Sequence, residues 1–184
     1  MKTANWFRKS SAEARRKWGN IPGLAFVHIP MRAFLDLQSD TAANVSGPHY
    51  PGMNKDIPVA QQGHGNQSEP FMQALLDTPN LHSVYSGHDH GDSWCGRWPN
   101  QTLPGQAASR PFLCFCKHSG FGGYGQWNRG ARIVQLHLDF YHPGQIFVDT
   151  WVRMQDGSVV TKVSLNGTYG QDLYATEDGG YHSY

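Results

Sequence analysis

Apolar and polar positions change period several times along this chain, and each change marks an element. Leu24-Ala25-Phe26-Val27 is a short apolar run, entered through Ile21-Pro22-Gly23 and closed by His28-Ile29-Pro30, and it reads as a strand from Leu24 to His28. Leu81 to Ser86 is a second such strand. Between them, Met31 to Leu37 has the spacing of one or two helical turns, with Phe34, Leu35 and Met31 inward. Pro70 to Leu76 reads as a helix, opened by Ser68 and Glu69 and stopped at Thr78-Pro79. Strand, helix and strand form a crossover, which predicts that the two strands lie parallel. Upstream, Ser10 to Trp18 joins strong helix formers to a Ser cap and a Gly19 stop. A short helix is predicted there, with Arg15-Arg16-Lys17 on a solvated face.

Downstream, alternation takes over. Phe112 to Cys116 is a short apolar strand. Ala131 to Asp139 alternates cleanly from Ile133, Gln145 to Met154 does the same, and His142-Pro143-Gly144 between them predicts an antiparallel hairpin. Asp156-Gly157 makes a tight turn into Ser158 to Val163. The stretch from Ser39 to Gln67 has no sustained period and reads as a long loop, with His49 and His64 exposed on it. His137 reads as structural. The polar, glycine-rich residues 167–184 are expected to form a mobile tail or surface extension, leaving residues 1–166 as the folded portion.

Composition adds bounds. At 184 residues the chain is long enough for one domain with a real core. Fifteen Lys and Arg against fourteen Asp and Glu give a net charge of +1, so neither nucleic acid nor an acidic membrane surface is an expected partner. No apolar run approaches the roughly 20 residues that span a bilayer.

Chemistry enters with the histidines. The strand Leu81 to Ser86 runs directly into Gly87-His88-Asp89-His90. In extended chain, residues i and i+2 face one side, so His88 and His90 are expected to present both imidazoles to one spot while Gly87 turns the backbone. His28 arrives at the end of the other strand, and in α/β sheets the carboxyl edge is where sites form. Among the three cysteines, Cys114 and Cys116 face one side by alternation, so either could meet Cys95. A zinc site of Cys114, Cys116 and His118 is disfavoured because C-x-C-x-H is not a usual zinc spacing. The glycine-rich run from His118 to Asn128 lacks the Gly-Lys-[Ser/Thr] ending of a phosphate-binding P-loop.

Three segments, Ala25 to Pro30, Tyr85 to His90, and Leu113-Cys114-Phe115 through His118 to Gly125, closely resemble the calcineurin-like metallophosphoesterases. Within them, the nearest branch is the fungal and plant purple-acid-phosphatase-related type. The resemblance implies an α/β fold, here a partial calcineurin-like phosphoesterase fold of mixed β-sheet layers flanked by helices. It implies that His28 and His88 bind one metal and His90 another, and that Cys95 pairs with Cys114 while Cys116 stays free. The family's D-x-H, G-D-x-x-D and G-N-H-[Asp/Glu] motifs do not occur in this sequence, so it resembles the carboxyl-terminal half of such an enzyme.

In complete members two metal ions about 3.5–4 Å apart clamp a phosphoester and activate a water. Here the carboxylates that hold the pair are missing. The expected cofactor is Zn, Fe or Mn, single or absent, with neutral imidazoles better matched to zinc, copper or nickel than to hard ions. Three functions follow: a metal-dependent phosphoesterase inactive or incomplete alone; a non-catalytic binding or scaffold protein; or a mononuclear hydrolase built on His28, His88 and His90. The expected partners are a phosphoester substrate if the site is completed, a complementing amino-terminal half, or a second copy docked through an uncovered sheet face. Four of nine asparagines lie in glycosylation sequons, at Asn44, Asn66, Asn100 and Asn166, which favours a secretory-route parent. Met1 to Asn5 lacks the apolar core of a signal peptide.

Overall fold

The computed structural model describes residues 2–39, 45, 47–56, 69–99, 110–123, 125–138 and 145–175. In chain order these form α1 (Lys2–Trp18), β1 (Gly23–Val27), α2 (Arg32–Ser39), α3 (Glu69–Leu76), β2 (Leu81–Ser86), β3 (Cys95–Arg97), β4 (Phe112–Phe115), β5 (Gly130–Leu138), β6 (Ile146–Met154) and β7 (Val159–Leu165). The strands make two sheets, one ordered β1-β2-β4-β3 and one ordered β5-β6-β7. The fold is therefore α/β with mixed sheet layers flanked by helices, consistent with a partial phosphoesterase-like fold. Among the described residues no helix is long and apolar enough to cross a membrane.

The crossover expectation is met, since β1 pairs with β2 in parallel and β2 pairs with β4 in parallel. Central parallel strands are buried on both faces, which is why they read as continuous apolar runs. On one face Ala25, Val84, Leu113 and Phe115 pack against Phe34 and Leu37 of α2 and Met72 and Leu75 of α3, with Trp94 among them. On the other, Tyr85, Phe112 and Cys114 meet Val148, Val163 and Leu165 of the second sheet. The second sheet covers only one of its faces, so its strands alternate. Its antiparallel pairs β5 with β6 and β6 with β7 are those the pattern predicts. Gly157 turns the second hairpin with φ +89°.

Several features escaped the pattern. β3 is three residues long and has no period of its own; it exists through antiparallel pairing with β4. Cys95 sits opposite Cys114 in that pairing, and the two form the disulfide that the resemblance implies, leaving Cys116 free. Helix α1 begins at Lys2 rather than Ser10 because its first half also has a packing partner: Phe7 meets Phe71 edge-on at 5.5 Å, and Arg8 pairs with Asp77 at 3.3 Å. Within residues 167–175 Tyr169 is buried in the core and donates to the Cys95 carbonyl at 3.3 Å, while Gly167, Thr168, Gln171, Leu173 and Ala175 are exposed. His49, expected to be exposed, is hydrogen-bonded to the Asp172 carbonyl at 2.9 Å. His137 stacks on Phe147 at 4.3 Å and lies 2.9 Å from Asp149, in keeping with a structural role.

Two side chains fasten the sheets to each other. The Arg132 guanidinium, rising from β5, donates from Nε to the Phe115 carbonyl at 2.7 Å, from Nη2 to the Ser93 carbonyl and from Nη1 to Thr150 Oγ1 at 3.1 Å. His82 of β2 is bonded through Nε2 to the Leu165 carbonyl of β7 at 3.0 Å.

Arg132→Met is expected to lower unfolding stability in urea by about 2–4 kcal/mol, because it strands two carbonyls between layers. His82 supplies a pH test. Burial holds its pKa below the ordinary 6.5, against the raising effect of the Leu165 carbonyl. Below that ordinary value the unfolded chain binds the proton more readily than the folded one, so stability falls as the pH drops through it and is retained above. His82→Gln is expected to shrink the difference between urea midpoints at acid and neutral pH; an unchanged difference would remove His82 from the acid response.

Candidate metal centre

Parallel pairing of β1 with β2 carries both strand ends to the same edge, and the backbone ties them there. Gly87 N–H donates to the Val27 carbonyl at 3.3 Å, and Ser86 Oγ donates to the His28 carbonyl at 3.2 Å. A Cβ on Gly87 would stand 3.2 Å from His28 Nδ1, so glycine is what lets that imidazole lie close. The rings of His28 and His88 meet edge to face, with centroids 5.4 Å apart and planes at 88°. His88 itself is left-handed, at φ +75°, an unusual state for a residue with a side chain.

That turn redirects the rest of the motif. Strand geometry ends at Ser86, and the chain folds through Asp89 N–H to the Gly87 carbonyl at 3.0 Å. The two-residue alternation argument lapses there. His90 instead stacks flat on His118, with centroids 3.9 Å apart and planes 14° apart. His118 is buried and its Nε2 is bonded to the Gly122 carbonyl at 2.9 Å, while among the described residues no hydrogen bond reaches its Nδ1. Lys117 Nζ donates to the His90 carbonyl at 3.1 Å and lies 5.5 Å from the centre of the Trp127 ring. Gly123, at φ +97°, closes the edge: a Cβ there would stand 3.1 Å from His90 Cε1. The glycine-rich run thus wraps His90 rather than cradling a phosphate by a P-loop.

The nearby acids are committed to the same turn. Asp92 is fully buried, and its Oδ1 accepts from the backbone N–H groups of Lys55 at 3.0 Å and Asp56 at 3.2 Å. Asp56 in turn accepts from Gly91 N–H at 3.2 Å. Burial, reinforced by Asp89 and Asp56 alongside, pushes the Asp92 carboxyl up to about 8. Burial also draws the Lys117 ammonium down to about 8, against the attraction of Asp92 and Asp56. The hydrogen bonds of these two acids join Lys55 and Asp56 to the turn at Gly91 and Asp92.

The geometry brings together His28 with His88 and, separately, His90 with His118. Among the described residues no three His, Cys, Asp or Glu side chains form a group that could hold one metal ion. His28, His88 and His90 therefore form no single group among the described residues, and the His28–His88 pair does not fit a dinuclear centre, since imidazoles bring no negative charge to hold two dications. Lys117 and Asp92 carried no site reading from the sequence, and His118 was considered only in the disfavoured zinc site with Cys114 and Cys116, although it opens the glycine-rich aromatic run. His64 and the sequon asparagines Asn44, Asn66 and Asn100 lie outside the described residues. Asn166 Oδ1 accepts from Thr168 N–H and Oγ1, each at 2.9 Å, within its own sequon at the end of β7.

No protein-family model matches the chain, and no solved structure matches it. Two proteins of Arabidopsis thaliana do. It is 28% identical over 165 residues to probable inactive purple acid phosphatase 29, covering 82% of this chain and 37% of that protein. It is 24% identical over 166 residues to probable inactive purple acid phosphatase 14, covering 83% and 36% respectively. The chain spans just over a third of the length of these relatives.

Gly123→Ala is expected to cost about 1–2 kcal/mol from its left-handed backbone and to displace the His90 ring. His118→Phe, which keeps a flat face, should leave His90 in place while His118→Ala releases it. Ring proton shifts of His90 by NMR read both, and equal shifts in the two His118 variants would deny the stack a role.

Proposed function

We propose, from the chain's place in the purple-acid-phosphatase-related family, that it is a catalytically silent phosphatase relative whose His28 and His88 hold one divalent metal ion. The observation that carries this reading is the flat stacking of His90 on His118, with no group of three potential ligands formed among the described residues. The printed names of the two relatives, both called probable inactive, support it. Zinc suits the imidazole pair better than iron or manganese, which favour oxygen ligands. A bound ion would supply attraction for an anionic phosphoester oxygen; the chain's own part is to hold the two rings at the strand ends. His28 is exposed, so an ion held there would be accessible to solvent or ligand.

A second reading is a phosphoesterase completed by residues from outside this span. It is favoured by the share of the relatives that the match leaves uncovered. Passage through an oxidising, secretory compartment accompanies either reading, supported by the Cys95–Cys114 disulfide together with the sequons.

Calorimetric titration with zinc separates these ideas. His28→Ala and His88→Ala should each weaken binding by about ten-fold or more, as expected for loss of a direct ligand, with His90→Ala nearly neutral. Equal loss in His90→Ala would return that residue to the ligand set. Hydrolysis of a generic aryl phosphate by the metal-loaded chain would overturn the silent reading in favour of the second.

A further inference from the structure

Among the described residues β1 is the end strand of its sheet, and its outer edge has an unusual composition. Natural edges are commonly blunted by charge. At the other sheet ends β3 carries Arg97, β5 carries Arg132 and β7 carries Lys162, whereas Gly23–Val27 carries no charged residue. Along β1 the Val27 carbonyl accepts from Gly87, so Val27 and Ala25 address β2. The N–H and C=O of Leu24 and Phe26 then point away from the sheet.

Side chains repeat the point. Phe26 is in register with Tyr85 and stacks on it at 5.1 Å, on the face that forms the core between the sheets, yet it is 66% exposed while Tyr85 is buried. The sequence around this edge is also self-complementary. Reflected about Ala25, Leu24 falls opposite Phe26, Gly23 opposite Val27 and Ile21 opposite Ile29. The last two are exposed by 48% and 52%.

We propose that β1 is the interface of a homodimer, in which two copies pair β1 against β1 antiparallel about a two-fold axis at Ala25. The outward backbone groups of Leu24 bond those of the partner's Phe26, and the reverse, joining two four-stranded sheets into one. Each Phe26 ring packs against the partner's Leu24, and Ile29 lies against the partner's Ile21. Such a contact is isologous, so a single uncharged strand satisfies both sides. A net charge of +1 per chain adds almost no repulsion between copies. The seam runs beside His28 and does not depend on a metal there.

Sedimentation of the full chain in chelator, across micromolar concentrations, tests this. A species of twice 20.5 kDa is expected, and Phe26→Lys should return it to the monomer with its circular dichroism unchanged. Backbone exchange on the unmodified chain gives a second readout that needs no variant. The amides of Leu24 and Phe26 should be slow in the dimer and fast on dilution, with Ala25 and Val27 slow in both. A chain that stays monomeric would overturn the proposal and leave the edge to a different polypeptide. A dimer that survives Phe26→Lys, or leaves the Leu24 and Phe26 amides fast, would overturn it by placing the contact elsewhere.

Discussion

One guanidinium holds the two layers in register. Arg132 reaches from β5 to the carbonyl that ends β4 and to the Ser93 carbonyl just ahead of β3, while its third contact goes to Thr150 of β6. Thr150 Oγ1 in turn donates a hydrogen bond to the Ile133 carbonyl at 2.7 Å, so the arginine's neighbour is anchored in the same sheet. Sheet-on-sheet contacts between apolar side chains are non-directional and leave sliding easy. A forked, charged donor bonded to fixed carbonyls is directional, and it fixes how far β4 and the chain after it lie from the second sheet. Because Lys117 and His118 follow β4 immediately, their position against His90 is inherited from that clamp.

The candidate metal centre is therefore the meeting of two pieces of backbone with different supports. His28 and His88 depend on the parallel pairing of β1 and β2, which any central strand pair of this kind provides. His90 depends on the segment after β4, where a lysine, a stacked imidazole and a left-handed glycine surround it. The left-handed backbone at His88 is the hinge between them: it lets one histidine stay at the sheet edge and sends the other into the loop.

The sequence disclosed the parts that periodicity controls. β2 was delimited to the residue, β1 within a residue, and both hairpins of the second sheet followed from alternation and Asp156-Gly157. β3 was invisible because three residues cannot show a period, and its pairing with β4 is a tertiary fact. The first half of α1 was missed because its helicity rests on Phe71 and Asp77, about sixty-five residues away in the chain, rather than on local propensity. Tyr169 is the same kind of miss: a polar, glycine-rich composition says nothing of one aromatic ring anchored on a distant strand. At the site, His28, His88 and His90 were all identifiable by type and place. Their grouping was not, since the inference of a shared face held only as far as extended geometry, and that stops at Ser86.

Electrostatics argues in the same direction as geometry. A site meant to hold dications presents ionised carboxylates to them, and burial works against ionisation unless a cation is at hand. Here two acids near the motif, Asp92 and Asp56, accept from backbone N–H groups, and both act on the Lys117 ammonium. With the Asp92 carboxyl pushed up to about 8 by burial, the acid at the centre of the turn is largely uncharged at neutral pH, and its part is to accept the Lys55 and Asp56 N–H groups that hold the turn.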